Sequence, residues 1–329
     1  MNAVSNAIYE FDQSTLEDTL ARYDVGVLLR YWPAPNGIEN SNYFIRTLTG
    51  EQKREFVLTI LEQPSNSGPA YVPLLDTCRD AGLPVAPVLR NQAGSAFDSL
   101  DGKSTLLTPR LLGRHVYNPT VKQVQALGRF IARFHLATEG VALETREYPR
   151  DAEWLTERAK VVKGFIGYAD ECLIADTVQR VASMLHRNDV KSLPRGVIHG
   201  DLFRDNVLFD ERGLTGVLDF HHAADGYLLY DLAVAANDWC NDVTGVLDPE
   251  RTTALIAAYH RLRPLTQQEL WFFSTFALYA AAAFWLSRLS VALRAANASS
   301  MRFKNPDEFR QIVANHTAHA FYLDERLLE

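Results

Sequence analysis

His199, Asp201, Arg204, Asp205 and Asn206 are packed into one short stretch, VIHGDLFRDNVLFD, between the apolar residues Val197–Ile198 and Val207–Phe209. Apolar residues on both sides mean that the chain leaves a core and returns to it, which holds the polar groups between on a fixed loop. An aspartate there can accept or orient the proton of an attacking hydroxyl. A side-chain amide further along, together with a second carboxylate, can hold a hard divalent cation against phosphate oxygens. That second carboxylate exists: Asp219 closes the next apolar strand, LTGVLDF. Asp and Asn also cap turns by bonding their own backbone. A turn alone, however, would require neither the strand behind it nor Asp219 at its end.

These groups must be positioned by the elements around them. VLF, the turn DERG and LTGVLDF read as a hairpin with the polar loop at its leading end, set in a chain that is mainly helical from Pro119 onward. In NPTVKQVQALGRFIARFHLAT, Val124, Leu127, Ile131 and Phe134 form one face with the 3.6-residue period, and a proline stands near the start. LTQQELWFF contains a capping box with Thr266 as N-cap and Glu269 at N3, and Leu265 and Leu270 are placed as a hydrophobic staple. The first hundred residues are β-rich. NYFIRTLTG and REFVLTILE read as a hairpin turning at Thr49–Gly50, PAYVPLLDTCRDAG as a helix ending at Gly82, and STLLTPRLLGR as a further strand. The expected fold class is α+β, with a β-rich lobe over residues 1–108 and a larger helical lobe over 109–329.

Composition narrows the function classes. Of 329 residues 47% are hydrophobic and 22% charged, as in an ordinary globular chain, and the net charge of −7 gives no general attraction for nucleic acid or anionic lipid. An anionic ligand would need a metal ion or a few placed cations. Cys78, Cys172 and Cys240 are far apart, which fits a reducing cytoplasm better than a disulfide framework or a zinc knuckle. The N-terminal residues MNAVSNAIYEFDQ lack a signal-peptide pattern. The longest apolar run, Phe272 to Leu286, is shorter than a membrane span and reads as a buried helix. A cytoplasmic protein with no membrane or nucleic-acid partner is expected, its oligomeric state open.

The spacing His199-x-Asp201-x4-Asn206 matches the catalytic loop of kinases. HGDLFRDNVLF followed by GVLDF resembles the aminoglycoside phosphotransferase and choline kinase superfamily. GIENSNYFI, FVLTILE, LYDLAVAANDWC and FWLSRL narrow the resemblance to the bacterial homoserine kinases within it. This implies a two-lobed protein-kinase-like fold, ATP and Mg²⁺ as cofactors, and L-homoserine as the small-molecule acceptor. It implies Asp201 as the base, with His199 and Arg204 beside it in the catalytic loop, and Asn206 and Asp219 as metal ligands. Another amino-alcohol or aminoglycoside acceptor remains open. A nucleotide-binding pseudokinase is the rival from another class, and intact Asp201, Asn206 and Asp219 speak against it.

The chain departs from the kinase pattern in one place. Thr59 stands where a strand lysine would grip the phosphates, and the following helix has no glutamate to pair with one. The related homoserine kinases resemble this chain in having threonine there. Arg204 is then the candidate for the γ-phosphate, with an internal salt bridge as its alternative. Gly37, Asn40 and Ser41 in NGIENSNY are expected to cover the phosphates, with Pro109 and Leu111 as further nucleotide contacts where the chain crosses between lobes. By resemblance Asp231 hydrogen-bonds the catalytic loop. Asp238 lies two helical turns on, on the same face, and is a candidate for a substrate ammonium. Arg288, beside Trp285, is a candidate for a substrate carboxylate, with an internal acid as its alternative. His221 and His222 replace the aromatics of many relatives, and His222 is placed in the acceptor pocket. His135 is read as structural and Trp239 as core.

Overall fold

The computed structural model describes residues 9–34, 40–61, 71–143, 148–242, 244–296, 304–319 and 321–323. The backbone divides into two compact units, Met1–Leu112 and a second comprising Gly113–Ser299 and Phe303–Glu329.

The first unit opens with α1 (Gln13–Leu20), followed by β1 (Val27–Pro33), β2 (Ser41–Thr49), β3 (Gln52–Ile60), α2 (Val72–Asp80), β4 (Asp98–Leu100) and β5 (Lys103–Pro109). The strands form an antiparallel sheet in the order β1-β2-β3-β5-β4. Alternation decides which face is buried. Tyr43 and Ile45 on β2 and Phe56, Leu58 and Ile60 on β3 pack with Leu16 and Leu20 of α1. Thr49 pairs with Gln52, so the hairpin turns on Gly50–Glu51, one residue later than expected. Gly50 takes φ +59 there, a conformation that glycine adopts without strain. Sequence reading missed β1 for a physical reason. It is an edge strand, its apolar residues do not alternate, and Val27 is 71% exposed.

The second unit contains α3 (Val121–Ala137), α4 (Ala152–Val162), α5 (Tyr168–Leu185), α6 (Asn188–Lys191), β6 (Arg195–Ile198), β7 (Val207–Asp210), β8 (Gly213–Val217), β9 (Ala224–Tyr227), α7 (Leu228–Trp239), α8 (Pro249–His260), α9 (Gln267–Ala296) and α10 (Asp307–Ala318). The expected face of α3 is buried at Val124, Leu127, Ile131 and Phe134. The Thr266–Glu269 box caps α9: each residue's backbone N–H donates to the other's side chain, at 2.9 and 3.2 Å. Such a cap is worth about 1 kcal/mol. By length and composition α9 could cross a membrane, but its apolar window is 72% buried inside this unit, where it packs on α4, α5, α7 and α10. It is the core helix that the apolar run predicted. Every residue of α7 is buried as well.

Two short antiparallel pairs, β6–β9 and β7–β8, interrupt the helices. His199 follows β6, Asn206 leads into β7 and Asp219 follows β8. The ends of these ribbons therefore gather the polar residues picked out above.

Candidate active site

The loop of residues 199–206 is fastened to α7 at three points. Asp231, fully buried, accepts the backbone N–H of His199 at Oδ2 and that of Gly200 at Oδ1, both at 2.8 Å. His135 Nε2 lies 3.1 Å from Asp231 Oδ2, and Tyr259 OH lies 2.8 Å from its Nδ1. The indole N–H of Trp239 donates to Leu202 O at 3.0 Å, and Asp238 Oδ2 accepts the N–H of Arg204 at 2.6 Å. The 3.6-residue period puts Asp231 and Asp238 on one face, and the loop lies across that face. Gly200 has φ +76, and the Tyr148 ring approaches within 3.1 Å of where a Cβ would stand. Any larger residue there would be strained and crowded.

On its open side the loop presents Asp201. The Asn206 amide nitrogen donates to Asp201 Oδ2 and to the Asp201 carbonyl, both at 2.8 Å. Burial pushes the Asp201 carboxyl up to about 6 and Asp219 adds to this, while Arg150, Lys304 and His221 pull it back. A base poised near neutrality suits proton abstraction from a hydroxyl. Asp219 adopts a left-handed backbone (φ 70, ψ 56), which is unusual outside glycine and belongs with residues aimed for function. Burial works against its ionisation, but contact with His221 Nδ1, together with His222 and His199, holds its pKa below the usual value. With its nitrogen engaged, Asn206 keeps its amide oxygen as a ligand atom, and Asp219 supplies a carboxylate. Two oxygen donors fit Mg²⁺, which usually fills its remaining positions with water and substrate phosphates. Among the described residues there is no larger cluster of His, Cys, Asp or Glu suited to a metal.

The structure revises several expectations. His199 is fully buried, with Nε2 on Leu218 O at 2.9 Å and Nδ1 accepting the Asp201 N–H at 3.3 Å. Burial lowers its pKa. It is a buried imidazole that braces two loops. Arg204 and Asp238, expected to take phosphate and ammonium, take each other instead: Nε–Oδ2 is 3.1 Å and Nη2–Oδ1 is 3.2 Å. Arg204 Nη1 also donates to Tyr117 O at 2.6 Å. Burial raises the Asp238 pKa and the Arg204 guanidinium opposes it. Arg288 takes the internal acid, with Nη1 2.6 Å from Glu308 Oε2 and 3.0 Å from Asn305 O. Trp285 is 2% exposed and is core. The His222 ring packs against that of His221, tilted by 46° with centroids 3.9 Å apart.

In the first unit, Thr59 Oγ1 donates to Asn42 Oδ1 at 2.7 Å across the β2–β3 pair. Ser41 Oγ accepts the Tyr9 N–H at 2.9 Å, and the Asn40 carbonyl lies 3.4 Å from the Asn42 amide. Pro109 pairs with Phe56 at the end of β5, and Leu111 follows, partly buried. Gly37 lies outside the described residues. Sequence reading missed Tyr148 and Arg150, which pack beside the catalytic loop from a segment carrying no motif. His135, read as structural, is buried and bridges Tyr259 and Asp231.

Comparison with known proteins gives a consistent picture. The family model described as the phosphotransferase enzyme family matches residues 30–265. The homoserine kinase of Pseudomonas aeruginosa strain LESB58 is 39% identical over 304 residues, covering 92% of this chain and 94% of its own. That of Methylobacillus flagellatus is 34% identical over 304 residues, covering 92% of each. Among solved structures, an amicoumacin kinase in complex with AMP-PNP, Ca²⁺ and Ami superposes with a TM-score of 0.67 at 15% identity, covering 93% of this chain and 92% of its own. That likeness concerns the fold.

Proposed function

This chain belongs to the phosphotransferase enzyme family, and from that premise we infer that it is an ATP- and Mg²⁺-dependent homoserine kinase, forming O-phosphohomoserine. The observation that carries the reading is identity of 39% to a homoserine kinase over 92% of this chain, joined to a loop that presents Asp201 with Asn206 and Asp219.

In this reading Asp201 takes the proton of the acceptor's side-chain hydroxyl as the hydroxyl oxygen bonds to the γ-phosphorus and the bond to the ADP leaving oxygen breaks. Because burial has raised its pKa, Asp201 holds that proton more readily than an exposed aspartate would. Asn206 does two jobs: its amide nitrogen fixes the Asp201 carboxylate and its oxygen is left for the cation. Mg²⁺ bound by Asn206 and Asp219 would supply the counter-charge for the triphosphate, which matters in a chain with Thr59 in place of the strand lysine and Arg204 already paired. Asn40, Ser41, Thr59, Pro109 and Leu111 are the proposed nucleotide contacts of the first unit.

An ADP-release assay with a panel of hydroxyl acceptors tests the assignment. Homoserine should have the highest kcat/KM. Serine should be poor, because its chain is one methylene shorter and leaves the hydroxyl short of Asp201. Better turnover of choline or an aminoglycoside would overturn the substrate and leave the phosphotransferase chemistry standing.

A further inference from the structure

Homoserine carries a carboxylate, and the two cations on the structure's acceptor side that the sequence singled out, Arg204 and Arg288, are both answered by internal acids. Arg150 is different. Its Nη1 is buried with no hydrogen-bond partner, and among the described residues the guanidinium forms no ion pair, the groups that act on it being Tyr148, Tyr230 and Asp201. A half-buried guanidinium with one nitrogen left unpaired keeps donors free for an acceptor, so its position suits a ligand that brings an anion.

Its surroundings hold it in place. Tyr279 OH donates to the Arg150 carbonyl at 2.6 Å, fixing the backbone. The guanidinium stacks on Phe284 at 4.4 Å from the ring centroid, and Phe284 meets the Phe203 ring edge-on at 4.6 Å. Phe203 is in the catalytic loop, two residues beyond Asp201. Two residues before Arg150, the Tyr148 ring presses on Gly200, immediately before Asp201, and Tyr148 OH donates to Tyr230 OH at 2.7 Å. The segment 148–150 therefore flanks Asp201 through both of its chain neighbourhoods. The field of Arg150 is felt at Asp201, where it opposes the effect of burial.

We propose that Arg150 is the specificity-determining cation of the acceptor site, receiving the α-carboxylate of the amino-acid acceptor while Asp201 addresses its hydroxyl. The proposal rests on the homoserine kinase reading and adds to it the residue that separates amino-acid acceptors from plain amino alcohols. A guanidinium presents two parallel N–H groups to a carboxylate, which fixes the orientation of a short acceptor as well as its affinity.

The test compares homoserine with 3-aminopropan-1-ol, which keeps the ammonium and the hydroxyl and lacks only the carboxylate. The intact enzyme should prefer homoserine by roughly 10²-fold or more in kcat/KM, and Arg150→Met should remove most of that preference by raising KM for homoserine. In the variant KM for ATP should stay within about threefold, and because Arg150 also acts on Asp201, any loss of kcat should fall on both acceptors alike, so the ratio of their kcat/KM values is the readout. Arg150→Lys should recover part of the preference, and it carries the same test if the methionine variant unfolds. An equal loss of kcat/KM with both acceptors, or an unchanged KM for homoserine, overturns the proposal. Failure of the unmodified enzyme to phosphorylate homoserine overturns the parent reading instead, so the two failures are distinguishable.

Discussion

The two sides of the catalytic loop handle charge in opposite ways. Toward α7 every charge is answered within the chain: Asp231 by two backbone N–H groups and His135, and Asp238 by Arg204. Toward the open side, Asp201 is a carboxylate that burial makes reluctant to ionise, Asp219 sits on a left-handed backbone, and Arg150 has a sealed nitrogen without a partner. The first side is what a folded chain requires. The second is the arrangement expected of a site that substrate and metal complete. Sequence shows acids and arginines on both sides alike, and only the packing tells them apart.

The largest expected effect breaks the answered side. Asp231→Ala removes an acceptor shared by three donors in a fully buried place, and should cost about 3–5 kcal/mol in urea denaturation. Asp231→Asn keeps one acceptor and should cost less. If Asp231→Ala unfolds at the parent midpoint, the loop is held by something other than α7.

On the open side the next effect has two signs. Asp201→Asn should lower kcat by roughly 10²-fold or more, yet make the protein more stable at pH 7, by about 1–3 kcal/mol. The folded-state pKa near 6 lies above the ordinary 3.8, so the folded state binds the proton more tightly than the unfolded one. Stability of the parent therefore rises as pH falls from about 6 toward 4, and the gain from Asp201→Asn should fade over that same window. Turnover should run the other way, falling below about pH 6 as the base is protonated. Thermal unfolding and kcat measured across pH 4–8 read both. A variant that is inactive and also less stable would put Asp201 on the answered side.

How much of this was legible beforehand depended on whether a residue's meaning is local. Asp201, Asn206 and Asp219 are fixed by spacing along one loop and one hairpin, and the structure brings them together. The capping box of α9 and the buried face of α3 are local too. Asp231 and Asp238 could be placed on one helical face from their spacing, but what reaches that face is a matter of tertiary packing. The same holds for Arg204, whose partner is 34 residues away. Arg150 was silent because a lone arginine between a proline and an aspartate carries no periodicity or motif. Its meaning comes from Phe284 and Tyr279 on α9, far along the chain.

Smaller effects sharpen the comparison at Arg204. Arg204→Met leaves Asp238 buried without its cation and should cost about 1–3 kcal/mol, largely recovered when combined with Asp238→Asn. In the double variant KM for ATP should remain within about twofold, since the charge pair serves the loop and not the nucleotide. A large rise in KM with stability unchanged would return Arg204 to the phosphates.

The smallest effect is expected at Arg288, and it is the most direct contrast with Arg150. Both arginines stack on the aromatic cluster beside the loop, Arg288 over Phe309 at 4.4 Å and Arg150 over Phe284 at the same distance. Arg288 has an anion already, Glu308, whose side chain is 48% exposed. A pair with one partner in solvent is screened, and such pairs contribute about 0–1 kcal/mol. Arg288→Met keeps an unbranched apolar stem over the Phe309 ring and should shift stability by less than about 1 kcal/mol. KM for homoserine should change by less than about twofold, where Arg150→Met raises it strongly. Measured side by side in the ADP-release assay, the two variants ask whether an internal partner is what separates a structural arginine from a substrate-binding one. A strong rise in KM from Arg288→Met would mean that the guanidinium leaves Glu308 for the substrate, and that the answered side extends less far than the packing indicates.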